Sequence, residues 1–166
     1  MFENIIKNVH NRHPLIHCIT NYVSINDCAN IVLACGGAPI MAEDINEVSQ
    51  ITSICQGLDI NIGMLNDNKL SSMLKAGATA NELGIPVILD PVGAGSSDYR
   101  IKAVQNLMSN VQFGVIRGNV SEIKAIAEKQ GIHNIAAGVY ETMQKNKSAM
   151  GVEAGIADKI TDDNIK

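Results

Sequence analysis

Two kinds of apolar pattern alternate along the chain. Short segments rich in apolar residues predict strands at Leu15–Ile19, Leu58–Ile62, Pro86–Leu89 and Phe113–Ile116. The continuously apolar run Pro86–Leu89 is typical of a strand buried on both faces. Between the predicted strands, apolar residues recur at helical spacing, which predicts helices over Phe2–Arg12, Ile25–Cys35, Ile45–Cys55, Asp67–Leu83, Ile101–Met108 and from Asn119 or Ser121 onward. Strands that alternate with helices are typical of parallel sheets covered by helices on both sides. We therefore predict an α/β fold.

Signals at the ends of these segments support the helices. Ser24 followed by Asp27 predicts a side-chain cap on the second helix, and Gly84 predicts the end of the fourth. After Ile132 the periodicity weakens, and His133–Met150 fits helix, loop or both. No repeat, low-complexity tract or linker divides the chain, so we predict a single domain.

The composition narrows the class of protein. Of 166 residues, 46% are hydrophobic and 18% are charged, where an ordinary soluble domain carries about 25% charged residues. The longest apolar stretches, Ile31–Cys35 and Ala38–Ala42, are far shorter than the ~20 residues of a membrane-spanning helix, so we predict no membrane span. The net charge is −4 and no basic cluster exceeds Lys145 and Lys147, which argues against nucleic acid or an anionic membrane as a partner. These features favour an α/β protein that acts on a small molecule.

The cysteines and histidines lack the spacing of a metal site. The four cysteines match no Cys-x-x-Cys pattern, so we predict buried, free thiols in a reducing cytoplasm. Met1–Asn4 carries an acid where a secretory signal has a basic start, so we expect no secretory signal here. We expect structural roles for the histidines, which are His10, His13, His17 and His133.

Polar residues follow the predicted strands. The carboxyl ends of parallel strands meet at one edge of the sheet, where ligands bind. That edge would carry Asn21, Asp90, Arg117 and Glu122, together with the loop Gly93–Ser97. Two carboxylates suit Mg²⁺ with a bound phosphate, and a guanidinium binds phosphate through its planar donors. The set therefore indicates phosphoryl chemistry.

Each of these residues also has a plainer interpretation. Asp90 would cap a loop, Glu122 would complement the helix dipole from the first turn, and Arg117 would form a surface ion pair. Gly93–Gly95 lets the backbone approach a ligand, but it lacks the third glycine of a dinucleotide fingerprint, and the chain has no P-loop Gly-Lys-Ser/Thr. Taken alone, Met41 is typical of a residue that fills the core.

Five motifs, in order along the chain, resemble one family. They are HCITN (17–21), GAPIMA (37–42), NIG (61–63), PVILDPVGAG (86–95) and IRGNVSE (116–122). Together they closely resemble the hydroxyethylthiazole kinase family of the ribokinase-like superfamily. The resemblance runs from Pro14 to Ala127, and Gly151–Gly155 is similar to a later Gly-Val-Asp stretch of that family.

The resemblance implies a fold, a reaction and an assembly. The fold would be a ribokinase-like three-layer α/β fold with a mostly parallel sheet covered by helices, present as a single, partial domain over residues 1–166 that is incomplete at its C-terminus. The reaction would be phosphorylation of the hydroxyl of 4-methyl-5-(2-hydroxyethyl)thiazole by ATP with Mg²⁺, in thiamine salvage in the cytoplasm. The assembly would be a homotrimer with thiazole sites between subunits.

The resemblance also implies roles for individual residues. Met41 would contact the thiazole and Asn21 would line the substrate pocket. Arg117 would bind the ATP phosphates, and Asp90 and Glu122 would lie in the magnesium region. We assign no catalytic residue, because the family's later Thr-Gly-x-Gly-Cys motif, with its anion hole and its cysteine, does not occur in this sequence.

Departures from the family pattern leave alternatives open. Because that motif is absent, we expect little or no kinase activity from this polypeptide by itself. Asn134–Met150 is also longer than the corresponding connection in the family. A non-catalytic thiazole-binding or assembly module is the main alternative. Another ribokinase-like alcohol kinase is a third, against which the motif around Met41 argues.

Overall fold

Five parallel strands form a single sheet in the computed structural model, which describes residues 2–129. The strands are β1 (Leu15–Ile19), β2 (Ala38–Ile40), β3 (Gly57–Asn61), β4 (Val87–Asp90) and β5 (Val115–Ile116). They lie side by side in the order β2-β1-β3-β4-β5, and every neighbouring pair is parallel. The predicted α/β class with a parallel sheet is confirmed.

Six helices accompany these strands within the described residues. They are α1 (Phe2–Arg12), α2 (Ile25–Ala34), α3 (Val48–Ile54), α4 (Asp67–Glu82), α5 (Asp98–Asn110) and α6 (Val120–Lys129). None of them is long and apolar enough to cross a membrane. The compact unit Met1–Ile126 contains all five strands and every side chain discussed below. The predictions for His133–Met150 and Gly151–Gly155 fall outside the described residues.

The strand β2 is missing from the sequence-based prediction. It is short and contains Pro39, which has no backbone N–H to donate. In the described sheet β2 pairs with β1 and lies at the edge, where a missing donor is tolerated. The apolar run Ala38–Ala42 is too short for its periodicity to separate a strand from a loop.

The helices α3 and α5 start at residues other than those predicted, and α2 lacks its predicted side-chain cap. The helix α5 begins at Asp98, before the predicted Ile101, because Oγ of Ser97 accepts a hydrogen bond from the N–H of Arg100 (3.2 Å). The helix α3 begins at Val48, later than predicted, because Asp44 accepts a hydrogen bond from the backbone N–H of Asn46 (2.8 Å) and holds a turn there. Ser24 precedes α2 as predicted, but its side chain does not cap the helix. Its hydroxyl donates instead to Oδ1 of Asn21 (3.1 Å).

One face of the sheet carries the apolar core. Alternate residues of β3 and β4 point to this face and join residues of α4 and α5, and the cluster includes Leu58, Ile60, Met73, Ala76, Val87, Leu89, Val104 and Leu107. On the opposite face, Ile88 is 41% exposed and Val115 is 53% exposed. Burial on both faces, which the continuous apolar run Pro86–Leu89 predicted, is therefore wrong for β4 within the described part of the chain.

All four cysteines are free thiols, but the predicted burial is wrong for two of them. Cys18 and Cys55 are buried, whereas Cys28 and Cys35 are half-buried. Burial raises the pKa of Cys18 to about 12. Its thiol therefore stays protonated and unreactive at neutral pH.

His17 is a core residue that joins β1 to two neighbouring segments. Its buried ring places Nδ1 2.9 Å from Oγ1 of Thr52 in α3 and Nε2 2.8 Å from the carbonyl oxygen of Ala42. Burial lowers the pKa of His17, and the hydrogen bond to Ala42 opposes this shift. These contacts agree with a structural role, and they fix the backbone next to Met41.

Candidate active site

The predicted site residues are distributed along one edge of the sheet. Met41 follows β2, Asn21 comes shortly after β1, Asp90 ends β4, and Arg117 follows β5. Because the strands are parallel, all four positions lie at the carboxyl edge. At the usual strand spacing, β1 and β4 are about 10 Å apart, with β3 between them. The edge thus has one side with Met41 and Asn21 and another with Asp90 and Arg117.

Asp90 and Arg117 form an ion pair at the β4–β5 side. Nη1 of Arg117 donates to Oδ2 of Asp90 across 2.7 Å. The Asp90 side chain is 16% exposed, whereas that of Arg117 is 75% exposed. Burial raises the pKa of Asp90; the charge of Arg117 opposes this shift, and that of Glu122 adds to it. A partly desolvated carboxylate is therefore held beside a guanidinium that is open to solvent.

Both carboxylate oxygens of Glu122 accept backbone hydrogen bonds. Oε1 accepts from the N–H of Gly93 (2.9 Å), and Oε2 accepts from the N–H of Asn119 (2.8 Å). Oδ1 of Asn119 in turn accepts from the N–H of Glu122 (3.0 Å), which completes a reciprocal capping box at the start of α6. Gly93 has a φ of +69°, a conformation that favours glycine. Glu122 thus ties the loop after β4 to α6.

The carboxylates of Asp90 and Glu122 fit a Mg²⁺ ion held mainly by phosphate and water. Besides burial, the charge of Glu122 raises the pKa of Asp90, so the two groups repel each other and a divalent cation would relieve that repulsion. Within residues 2–129 there is no group of three or more His, Cys, Asp or Glu side chains that could hold a metal. Mg²⁺ commonly uses one or two carboxylates and keeps several waters, so this pair suits an ion delivered with a nucleotide.

Asn61, at the end of β3, connects the two sides of the edge. Its Oδ1 accepts from Nδ2 of Asn21 (3.1 Å) and from the N–H of Gly63 (2.8 Å), and hydrogen bonding from its side chain acts to lower the pKa of Asp90. A Cβ on Gly63 would lie 2.9 Å from both Asn21 Nδ2 and Asn61 Oδ1, so this network requires glycine there. No pattern of residues in the sequence indicated a role for Asn61. Asn61 lies opposite Asp90, and only the register of β3 and β4 shows this.

Arg100 is a second residue without a role in the sequence analysis. From the first turn of α5, its guanidinium donates to carbonyl oxygens at the end of β3 and in the loop after β4. Backbone carbonyls belong to every residue type, so no sequence signal marks these partners. An arginine on a polar helix start is otherwise typical of a solvated surface.

Asp59 places a carboxyl group within β3. The register sets it opposite Ile88 and on the same sheet face as Asn61. Burial raises the pKa of Asp59 to about 6, the charge of Asp90 adds to the shift, and that of Arg117 opposes it. The ionised form of Asp59 therefore destabilises the folded protein.

Replacing Asp59 by Asn (D59N) is expected to raise the free energy of unfolding at about pH 8 by roughly 2 kcal/mol. The pKa of an ordinary aspartate carboxyl is 3.8, and burial raises that of Asp59 to about 6 in the folded protein. The wild type therefore loses stability as the pH rises between these values and does not regain it above them. Urea unfolding of both proteins at about pH 4 and pH 8 measures the difference. Burial lowers the pKa of His17, but this residue is present in wild type and in D59N, so its contribution cancels in the difference between the two proteins. A stability difference that is the same at both pH values would contradict this assignment.

Lys69 of α4 joins the segments that follow β1 and β2. Nζ donates to the carbonyl oxygen of Thr20 (2.6 Å), pairs with Oε2 of Glu43 (2.7 Å) and lies 4.4 Å from the centre of the Tyr22 ring. The Tyr22 hydroxyl donates to Oε1 of Glu43. Burial acts to raise the pKa of Glu43, but hydrogen bonds from Lys69 and Tyr22 and the Lys69 charge lower it overall. This cluster fixes the backbone beside Asn21.

A cleft of about 590 Å³ opens beside Lys69. Its lining comes from the segment before α3 and from the start of α4, and consists of Glu43, Asp44, Ile45, Asn66, Asn68, Lys69, Ser71 and Ser72. Asp90 and Arg117 are not among these residues. Asn21 and Met41 are not among them either, so the cleft lies beside the Lys69 cluster and includes none of the predicted site residues.

Comparison with known proteins decides the family. A profile of the Hydroxyethylthiazole kinase family matches residues 6–161. The chain belongs to this family. A hydroxyethylthiazole kinase of Clostridium acetobutylicum is 53% identical over 165 residues, which cover 99% of this chain and 55% of that protein. One of Alkaliphilus metalliredigens is 58% identical over 124 residues, which cover 75% of this chain and 46% of that protein.

A solved structure supports the same family. The hydroxyethylthiazole kinase of Pyrococcus horikoshii OT3 matches with a TM-score of 0.75 and 39% identity, over 80% of this chain and 52% of that one. The ribokinase-like α/β fold that the resemblance implied is confirmed. The chain spans about half the length of the hydroxyethylthiazole kinases it matches.

Proposed function

We propose that this chain forms part of a hydroxyethylthiazole kinase site, in which the hydroxyl of 4-methyl-5-(2-hydroxyethyl)thiazole takes the γ-phosphoryl group of ATP in thiamine salvage. The observation that carries the proposal is the Asp90–Arg117 pair at the carboxyl edge of β4 and β5, in a chain of this family. Phosphoryl transfer depends on positioning and on neutralisation of phosphate charge. The free thiols support a reducing cytoplasm as the location.

The β4–β5 side of the edge would bind Mg·ATP. Arg117 has an exposed guanidinium beside Asp90, and its remaining donors would bind phosphate oxygens. Asp90 and Glu122 would hold Mg²⁺, which when bound neutralises charge on the phosphates. Gly93 has no side chain to cover its backbone, and this backbone would lie beside the nucleotide.

The β1–β2 side of the edge would bind the thiazole. Met41 offers a flexible, polarisable side chain that suits an aromatic ring. Asn21 is oriented by its bonds to Asn61 and Ser24, so its amide has a fixed direction. Hydrogen bonding from Asn61 also acts to lower the pKa of Asp90, so one residue would link the two sides between which phosphoryl transfer needs its reactants positioned.

Isothermal titration calorimetry of the chain with Mg·ATP and, separately, with hydroxyethylthiazole tests the proposal. We expect saturable binding of both ligands, each unaffected by replacement of the exposed Lys102 by Gln (K102Q). Binding of neither ligand would overturn the proposal.

A non-catalytic thiazole-binding or assembly module is the second candidate. It is favoured by the contacts of Glu122, whose two carboxylate oxygens are already engaged by the backbone of Gly93 and Asn119. In this second candidate the Glu122 carboxylate would serve a purely structural purpose, without any metal. In the same titrations, binding of hydroxyethylthiazole without binding of Mg·ATP would support the module and exclude the kinase site.

We also propose that the chain assembles as a homotrimer, as the family resemblance implies. The helix α2 is rich in apolar residues, yet none of its residues is buried. Val23, just before it, is 88% exposed, and Ile31 and Leu33 within it are 62% and 56% exposed. An apolar helix left uncovered in one copy supports an interface with another copy.

Replacing Leu33 by Asp (L33D) is expected to convert the trimer to a monomer, because a carboxylate would be buried in the interface. Light scattering should give a wild-type mass near three times 17.7 kDa. Leu83 provides a matched control, since it is equally exposed at 56% but lies at the end of α4. A monomeric wild type, or dissociation by L83D as complete as that by L33D, would count against the trimer.

A further inference from the structure

Arg100 makes three hydrogen bonds to two segments of the sheet edge. Nη1 donates to the carbonyl oxygens of Ile62 (2.7 Å) and Val92 (2.8 Å), and Nη2 donates to that of Gly63 (2.7 Å). Ile62 and Gly63 follow β3, whereas Val92 lies in the loop after β4. One half-buried side chain from α5 therefore bridges two segments that leave neighbouring strands.

The bridge lies directly beside Gly93. If Gly93 carried a Cβ, that atom would be 3.5 Å from Cδ and 3.6 Å from Nε of Arg100. The N–H of Gly93 donates to Glu122 (2.9 Å). The Val92–Gly93 segment is thus held by α5 through Arg100 and by α6 through Glu122.

The three partners of Arg100 are neutral carbonyl oxygens. A guanidinium can serve them together because its donors lie in one plane and point in several directions. A lysine ammonium at the end of a flexible stem has the charge but not this geometry. These contacts therefore depend on the planar shape of the Arg100 guanidinium and not only on its positive charge.

We propose that Arg100 is a positioning residue of the candidate site, which sets the Gly93 backbone relative to the end of β3 through its planar donors. Its consequence for nucleotide binding rests on the proposed function. Arg100 acts through the loop and does not contact a ligand. Lysine at this position should therefore hold the Gly93 backbone almost as poorly as glutamine does, although lysine keeps the positive charge.

The test compares wild type with Arg100→Lys, Arg100→Gln and the control Lys102→Gln, an exposed position on the same helix. The first readout is amide hydrogen exchange without any ligand. We expect exchange at Gly93 to be at least about tenfold faster in both Arg100 variants, with exchange at the core residues Ile60 and Leu89 unchanged. The second readout is calorimetric affinity, where we expect Mg·ATP to bind about tenfold more weakly to both Arg100 variants and hydroxyethylthiazole to bind as it does to wild type.

Two results would overturn the proposal. Arg100→Lys with wild-type exchange at Gly93 would show that charge alone matters, and equally faster exchange at Ile60 would show that Arg100 stabilises the whole fold. If wild type does not bind Mg·ATP, the proposed function fails, and the exchange at Gly93 still decides the positioning role.

Discussion

Replacing Asp90 by Asn (D90N) is expected to weaken Mg·ATP binding by about a hundredfold, or roughly 3 kcal/mol. The change removes one of the two carboxylates that fit Mg²⁺ and leaves Arg117 without its anionic partner. Because burial raises the pKa of Asp90, its ionised form is unfavourable in the fold, and D90N should unfold no more easily than wild type. Calorimetry with Mg·ATP measures the loss, and urea unfolding shows that the variant is folded.

Glu82 provides the control for this change. It is an exposed carboxylate at the end of α4, so Glu82→Gln alters the net charge equally without touching the sheet edge. We expect this control to bind Mg·ATP as wild type does. Equal affinities of wild type and D90N would remove Asp90 from the site.

Replacing Lys69 by Met (K69M) is expected to lower the free energy of unfolding by about 3 kcal/mol. The Lys69 side chain is 2% exposed, and its loss leaves the carbonyl of the buried Thr20 without this donor and Glu43 without its cation. Because the lowered pKa of Glu43 depends in part on Lys69, the loss should be largest near neutral pH and shrink as the pH falls and Glu43 is protonated. Urea unfolding followed by far-UV circular dichroism measures it, since the chain has no Trp.

Two further variants separate burial from charge. Lys75 lies on the same helix and also donates to a loop carbonyl, that of Ile45 (2.8 Å), but from an exposed position, so Lys75→Met should cost less than about 1 kcal/mol. Adding Glu43→Gln to K69M should restore part of the lost stability, because the uncompensated carboxylate is gone. A K69M protein as stable as wild type would contradict the account of the cluster.

The sheet and its helices were largely predictable from local patterns. Short segments rich in apolar residues marked β1, β3, β4 and β5, because apolar residues that are close in sequence pack into one core. The strand β2 was not predicted, because its three residues around Pro39 are too few to show a periodicity. The exposure of Ile88 and Val115 was not predicted for another reason. A run of apolar residues does not indicate which face of the strand is covered by other elements.

The candidate site was predictable only in part. Asp90, Arg117 and Asn21 follow predicted strands, so parallel topology alone places them at one edge. The role of Asn61 depends on the strand register, and that of Arg100 depends on backbone carbonyl oxygens. Neither feature can be recognised from residue types along the sequence. The Lys69–Glu43 pair joins positions far apart in the sequence, and nothing local in the pattern of α4 singles out its buried lysine.

The central claim is that the β4–β5 side of the edge binds Mg·ATP and the β1–β2 side binds the thiazole. Residue-resolved amide shifts in an NMR titration test it most directly, with the wild-type chain and Arg117→Gln. Mg·ATP should shift the amides of Gly93, Gly118 and Asn119 in wild type but not in Arg117→Gln, whereas hydroxyethylthiazole should shift those of Asn21 and Met41 in both. Absence of shifts with Mg·ATP, or Mg·ATP shifts confined to Asn21 and Met41, would contradict the account.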